Sequence, residues 1–257
     1  MCYLSKSAGA NFSMDINKVV NREFLTNSAL GRWLLPLVAI SLVLAANVMV
    51  FTQVPNERVM GAVQRIFYFH VGSAMASYVM VAIVFLASVL FLATRSSAWD
   101  LLAQASANIA LLFCLIVLLT GCIWGHAAWN TWWRWEPRLV SFLILTLLCF
   151  SYVILRKFSS SSEQNAVFAA VLGILVAINV PVVIFSIKFV DQLQQLHPQV
   201  VAKQGLRDTS YIVGFVISNL AAISLSLWMM WLKLTNLVLA RDVREAIIEK
   251  QIVEEAA

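Results

Sequence analysis

From Trp33 onward the chain alternates long apolar runs with short polar breaks. A helix needs about 20 mostly apolar residues to cross the hydrocarbon of a bilayer. Six runs approach or exceed that length: Trp33–Phe51, Phe67–Ala93, Leu101–Ile123, Leu139–Leu155, Ala166–Ile187 and Tyr211–Leu232. The fourth is short, and the second is long enough to require tilt. The pattern predicts an all-α integral membrane protein, a bundle of six transmembrane helices spanning residues 33–232. A polar N-terminal tail (1–32) and a charged C-terminal tail (233–257) flank it, and "ARDVREAIIEKQIVEEAA" in the latter has the spacing of an amphipathic helix. The loops "TRSSAWD" and "RKFSSSSEQN" read as plain connectors. No internal repeat is visible, and no cleavable signal is expected, because the first apolar run is itself long enough to span.

Composition agrees with a bilayer environment. Hydrophobic residues make up 61% of the 257 and charged residues 12%, where a soluble domain carries about a quarter charged. An even number of spans leaves both termini on one side. With the termini inside, the inner segments hold eleven Lys and Arg and the outer loops seven, which favours cytoplasmic termini. The net charge of +5 reflects this orientation, and no basic face suits nucleic acid. Cys2, Cys114, Cys122 and Cys149 form no C-x-x-C pair, so they read as structural thiols, without a disulfide framework or zinc site.

The polar breaks are not all alike. "GHAAWNTWWRWEPRL" (residues 125–139), with Trp124 before it, packs Trp124, Trp129, Trp132, Trp133 and Trp135 into twelve residues. The topology places it outside, between the third and fourth spans. Trp33, Trp99, Trp228 and Trp231 fit an ordinary interfacial belt at the inner boundary, but five indoles in one loop exceed a belt. At helical spacing Trp129, Trp132 and Trp133 would share a face, and such a segment could lie flat on the outer surface as an amphipathic helix. Pro137 suits the first position of the fourth span, with Glu136 near the cap.

Arg134 and Arg138 flank these rings, and arginine supplies fixed donors for a carboxylate. An aromatic platform edged by arginines suits a flat, apolar ligand with anionic groups on one edge, and haem has that shape. The three histidines, His70, His126 and His197, all fall on the outer side. Imidazole is a good axial ligand for haem iron. His126 is the weaker candidate, because its loop position fixes no direction.

The absent motifs narrow the chemistry. There is no C-x-x-C-H for covalent haem attachment, no P-loop, no H-E-x-x-H and no G-x-S-x-G. No Asp, Glu, Lys or Arg falls inside the apolar runs, which argues against an ion pump. Asn47, Asn108, Asn179 and Asn219 read as interhelical glue, and Asn179 with Pro181 predicts a kink in the fifth span.

These residues resemble a known family. "WGHAAWNTWWRWEPRL" is similar to the signature W-G-x-x-W-x-x-W-W-x-W-D-x-R-L-T of the tryptophan-rich haem-handling proteins (CcmC/CcsA). "RIFYFHVGSAMAS", with Arg65 and His70, resembles R-I-x-Y-x-H-V-P-x-A of the haem exporter protein C (CcmC) family of cytochrome c maturation. "NVPVVIFSIKFVDQLQQLHP", ending near His197, resembles that family's N-x-P-I…S-V-x-W-W-x-T-L-H-Q segment. The resemblance covers about residues 33–232. It departs at Glu136 for Asp, Val140 for Thr, Gly72 for Pro, and Phe189–Val190 for a Trp pair. Pro137 is similar to the W-D-P-K-E motif of a larger haem-channel family, which has more spans.

The resemblance implies His70 and His197 as axial ligands to the iron of a transiently, non-covalently bound haem b. The tryptophans, with Glu136 among them, would hold the macrocycle, and Arg65, Arg134 and Arg138 the propionates. It implies a membrane-anchored haem chaperone (CcmE-like) as recipient. An ABC complex with an ATPase and a membrane subunit (CcmA-like, CcmB-like) and a small membrane protein (CcmD-like) is implied too, in the bacterial inner membrane. The expected function is haem transfer without bond-making chemistry. The rivals are a cytochrome c synthase-type haem channel component and a permease subunit for another amphipathic anion. The charge count makes a direct prediction: a periplasmic reporter fused after Asn130 is active, and one fused after Ser160 is inactive. The opposite pattern would put the tryptophan loop in the cytoplasm.

Overall fold

The computed structural model of the protein describes residues 20–57, 60–158, 163–188 and 208–255. Among them the fold is helical, and the six longest apolar helices are each able to cross a membrane. A short helix α1 (Arg22–Asn27) precedes them, its N-terminus capped by the Asn21 side chain accepting from the Phe24 N–H at 2.7 Å. The spans are α2 (Leu30–Gln53), α3 (Ala62–Thr94), α4 (Ser97–Trp129), α5 (Pro137–Phe158), α6 (Glu163–Phe185) and α7 (Thr209–Glu255). Each predicted run lies within or largely overlaps one of them. A single short turn, Ser186–Lys188, follows α6.

α3 is the hub. It packs along α4 and also against α6 and α7, while α2 leans on α7 and α5 lies between α4 and α6. Lipid tails are as apolar as leucine, so helices in a bilayer associate by close packing of small residues. The α3 faces accordingly bury Gly72, Ser73, Ala76, Ser77, Ala87 and Ser88. A Cβ at Gly72 would come within 2.9 Å of the Ser218 carbonyl on α7, and one at Gly173 of α6 within 2.5 Å of Ser88 Oγ. This accounts for Gly72 where the family motif has proline: the α7 backbone occupies the space a ring would need.

The expected glue is confined to one residue. Asn179 of α6 donates to the Ser141 carbonyl of α5 at 3.3 Å, whereas Asn47, Asn108 and Asn219 each donate to a carbonyl one turn back on their own helix. Pro181 lies inside α6 as expected. The α3–α4 connector is tighter than a polar loop: only Arg95 and Ser96 lie between the helices, Arg95 taking the left-handed conformation (φ 56°) that ends α3.

Two features go beyond the sequence pattern. Across the composition boundary at 232/233, α7 runs unbroken through 47 residues to Glu255. No glycine or proline interrupts it after Gly214, and the i,i+4 pairs Arg241–Glu245 and Lys250–Glu254 support the charged portion. At 1.5 Å per residue the helix is about 70 Å long, more than twice the roughly 30 Å hydrocarbon thickness.

The second is a correction and concerns Trp231, expected in a lipid-facing belt. It is buried, its indole donates to the Leu25 carbonyl at 3.3 Å, and Phe24 packs against it at 5.9 Å. A Cβ at Gly31 would collide with the same ring. Trp231 therefore clamps α1 to α7. Replacing Trp231 by Ala should cost about 3–5 kcal/mol, the usual range for a large buried ring, and lower the melting temperature of the purified protein. Trp33→Ala, at a position 61% exposed, should shift it little.

Candidate functional site

The α3–α4 hairpin aligns the site. Twenty-five residues separate His70 from Arg95 and twenty-five separate Ser96 from Gly121, so a two-residue turn brings His70 opposite Gly121. The contacts agree. A Cβ on Gly121 would lie 3.2 Å from His70 Cε1, His70 Nδ1 is 3.0 Å from Thr120 Oγ1, and the His70 and Trp124 rings are 6.1 Å apart. Phe67, one turn earlier, meets Trp124 at 6.3 Å.

Beyond Trp124 the chain does not continue as a helix through the tryptophans. Asn130 adopts the left-handed conformation (φ 55°, ψ 35°) and donates to the His126 carbonyl at 2.9 Å, which ends α4 at Trp129. Thr131 then folds back over Gly125, where a Cβ would stand 3.1 Å from the Thr131 carbonyl oxygen. Residues 131–136 have no helical structure, and Pro137 opens α5, with Val140 donating to the Glu136 carbonyl at 2.9 Å. The surface amphipathic helix expected for this stretch is thus overturned. The left-handed stop at Asn130 and the extended bias of a residue before proline exclude helix from both ends. The expectations of Pro137 at the start of a span and Glu136 beside its cap agree with this geometry.

The fold-back lays the loop over an open cavity bounded by α3, α4 and the start of α5. His70, Trp124, Trp129, Trp132, Trp133, Arg134, Glu136 and Arg138 all line it. His70, Ala74 and Tyr78 follow one face of α3 at four-residue steps away from the loop, with Val117, Leu118, Leu139 and Phe142 completing a largely apolar wall. The wall is thus apolar in depth and polar where the loop crosses it.

The side chains differ in their freedom. Trp124 and Trp129 pack at 5.5 Å. The indole N–H groups of Trp124 and Trp133 are buried without a hydrogen-bond partner among the described residues. A buried donor left unpaired is costly, so these two groups point to a ligand acceptor. Arg134 pairs with the buried Glu136 at 3.6 Å. Arg138 lines the same cavity with no ion-pair partner among the described residues.

Two expected site residues, Arg65 and Trp135, and the weaker candidate His126 are not part of this lining. Arg65 stacks over Phe51 of α2 at 5.9 Å, so the structure does not bring it to the cavity. Trp135 is 78% exposed and meets Trp133 edge-on at 5.8 Å. His126 is exposed and lies flat on Trp132 at 4.1 Å. His197, the other expected axial ligand, lies outside the described residues, as do Phe189 and Val190.

Sequence reading did not single out Thr120, Gly121 or Tyr78. The signal for the first two was available in the equal arm lengths about Arg95–Ser96, once the turn is set at two residues. Tyr78 followed from four-residue steps down the helix from His70.

A family model described as "Heme exporter protein C" matches residues 18–249. The Heme exporter protein C of Bradyrhizobium diazoefficiens is 32% identical over 192 residues, 74% of this chain and 72% of its own length. That of Escherichia coli K12 is 30% identical over 166 residues, 63% and 68% of the two chains. That of Rhodobacter capsulatus reaches 37% over 122 residues, 48% of this chain and 50% of its own. With a family match over most of its length and these relatives beside it, the chain belongs to the haem exporter protein C family.

Proposed function

We propose that the protein binds haem b transiently and non-covalently in this cavity, at the outer face of the bacterial inner membrane, and hands it to a membrane-anchored chaperone during cytochrome c maturation. The observation that carries the reading is the convergence on one cavity of an imidazole, packed indoles and an arginine without an ion-pair partner among the described residues. Haem needs these three chemistries: a nitrogen ligand for iron, apolar area for the macrocycle, and cations for two propionates. In this reading His70 and His197 would be the residues that ligate the iron, His70 from the α3 side of the cavity. Trp124, Trp129 and Trp133 cover the ring, with Trp132 and Trp135 at its rim, where the recipient can reach them. The family name borne by the relatives supports the choice of haem over another amphipathic anion.

The protein acts here as a transfer subunit. The chain carries no P-loop, so the energy for assembling or releasing the complex comes from an ATPase subunit beside a second membrane subunit and a small membrane protein. Arg138 is the principal propionate partner, because Arg134 already serves Glu136. Arg65, away from the cavity, has no place in this set.

Absorption spectra of the purified, haem-loaded protein test the ligands. His70→Ala should lose haem and alter the Soret band, whereas His126→Ala should change neither. Replacing Trp132 and Trp133 together should weaken haem retention by a few kcal/mol, with membrane insertion intact. Retention unchanged in His70→Ala removes haem from this cavity.

The arginines provide a separate test. Arg138→Ala should weaken haem binding by about 1.5–3 kcal/mol, the range for a hydrogen bond to a charged group, and by much less for a haem with esterified propionates. Arg134→Ala should cost less than Arg138→Ala. Equal weakening for both haems would mean that Arg138 shapes the cavity and does not bind the anionic edge.

A further inference from the structure

Thr120 stands immediately before Gly121 on α4 and is not part of the cavity lining, yet its hydroxyl touches the residue on which the site depends. Thr120 Oγ1 lies 2.7 Å from the Ile116 carbonyl oxygen, 3.3 Å from that of Val117, and 3.0 Å from His70 Nδ1. A threonine hydroxyl has one proton and lone pairs to accept with. On a helix that proton is directed to the carbonyl one turn back, and the Ile116 contact is the shortest of the three. With its proton so directed, the oxygen faces Nδ1 as an acceptor, and the 3.0 Å contact is a hydrogen bond when Nδ1 carries the imidazole proton.

The consequence falls on the other nitrogen. In a neutral imidazole only one nitrogen is protonated, and which one is set by the hydrogen bond the ring makes. An Nδ1–H ring presents Nε2 as a bare lone pair, the form a metal requires, and no proton has to leave when the ligand bond forms. Gly121 holds the ring against the α4 backbone on the same side, since a Cβ there would stand 3.2 Å from Cε1 and 3.7 Å from Nδ1. The Nδ1 edge is thereby turned to α4.

We propose that Thr120 is a positioning residue that holds His70 as the Nδ1–H tautomer, with Nε2 presented to the cavity. The assignment rests on the reading of His70 as an iron ligand and adds the group that prepares it. Partners of this kind orient a ligating imidazole and raise its basicity, and their loss typically costs about 10–100-fold in metal affinity.

The test uses the full-length protein in lipid nanodiscs, labelled with 15N-histidine and free of haem. With three histidines in the chain, His70→Ala assigns the His70 signals, and long-range proton–nitrogen correlation spectra report the tautomer. The expected result is Nδ1–H at His70 in the parent and in Thr120→Ser, and a shift toward Nε2–H in Thr120→Val. After haem loading, Thr120→Val should retain haem roughly 10–100-fold less tightly with a displaced Soret band, and Thr120→Ser should restore both. An Nε2–H ring in the parent, or the same tautomer in Thr120→Val, overturns the Thr120 assignment whatever happens to haem. A His70→Ala protein that keeps its haem and its spectrum overturns the ligand reading instead, while the tautomer result stands by itself.

Discussion

The register of the α3–α4 hairpin is the constraint on which the site depends. Two residues connect the helices, so each α3 position has a set opposite number on α4, and His70 meets the Thr120–Gly121 step. Small residues keep the two axes close enough for an imidazole to touch a hydroxyl and a backbone edge together. A longer connector would leave the register open, and each residue of slip would turn a different α4 side chain toward His70. Gly121 matters here for its lack of a side chain: any Cβ would push the ring away from α4.

The second device is the end of α4. The left-handed Asn130 and the absence of a Cβ at Gly125 return the chain over its own helix, so the tryptophans form a wall and roof above the cavity. Pro137 restarts the helix after six residues. Glu136, buried between these breaks, holds Arg134 and leaves Arg138, the second residue of α5, facing the same space. The charge arrangement therefore depends on where the backbone breaks. The substitution of Glu136 for the family's Asp preserves the carboxylate that this pairing needs.

Away from the cavity, one aromatic contact links distant parts of the chain. Trp231 binds the N-terminal helix to α7, and α7 continues far beyond the sixth apolar run as a single helix. Asp100 and Arg156, paired at 2.7 Å between α4 and α5 and largely buried, tie those helices near their ends, just outside the runs that contain no charge. Arg95 and Glu163 make a looser, exposed contact at the same end. Exposed pairs of that kind contribute little, so the architecture there rests mainly on the clamp and on helix packing.

Much of this was legible in the residues alone. Apolar runs near bilayer length determine six helices because backbone polar groups in hydrocarbon must pair within the segment. Clustered tryptophans, arginines and an imidazole marked the stretch of chain to watch, and His70, Trp124, Trp129, Trp132, Trp133, Arg134 and Arg138 do line one cavity. What the sequence could not decide was direction. Periodicity allowed Trp129, Trp132 and Trp133 a shared helical face, and only the backbone break at Asn130 shows that they enclose a cavity. Arg65 and Arg138 look equivalent as cations beside a motif, yet one stacks on Phe51 and the other faces the cavity, because their helices present them to different neighbours. Trp231 and Trp33 look alike as boundary residues, and only the arrival of Leu25 and Gly31 beside one of them makes it core. These outcomes depend on contacts between distant segments, which local pattern does not encode, whereas helix existence depends on the solvent each segment meets.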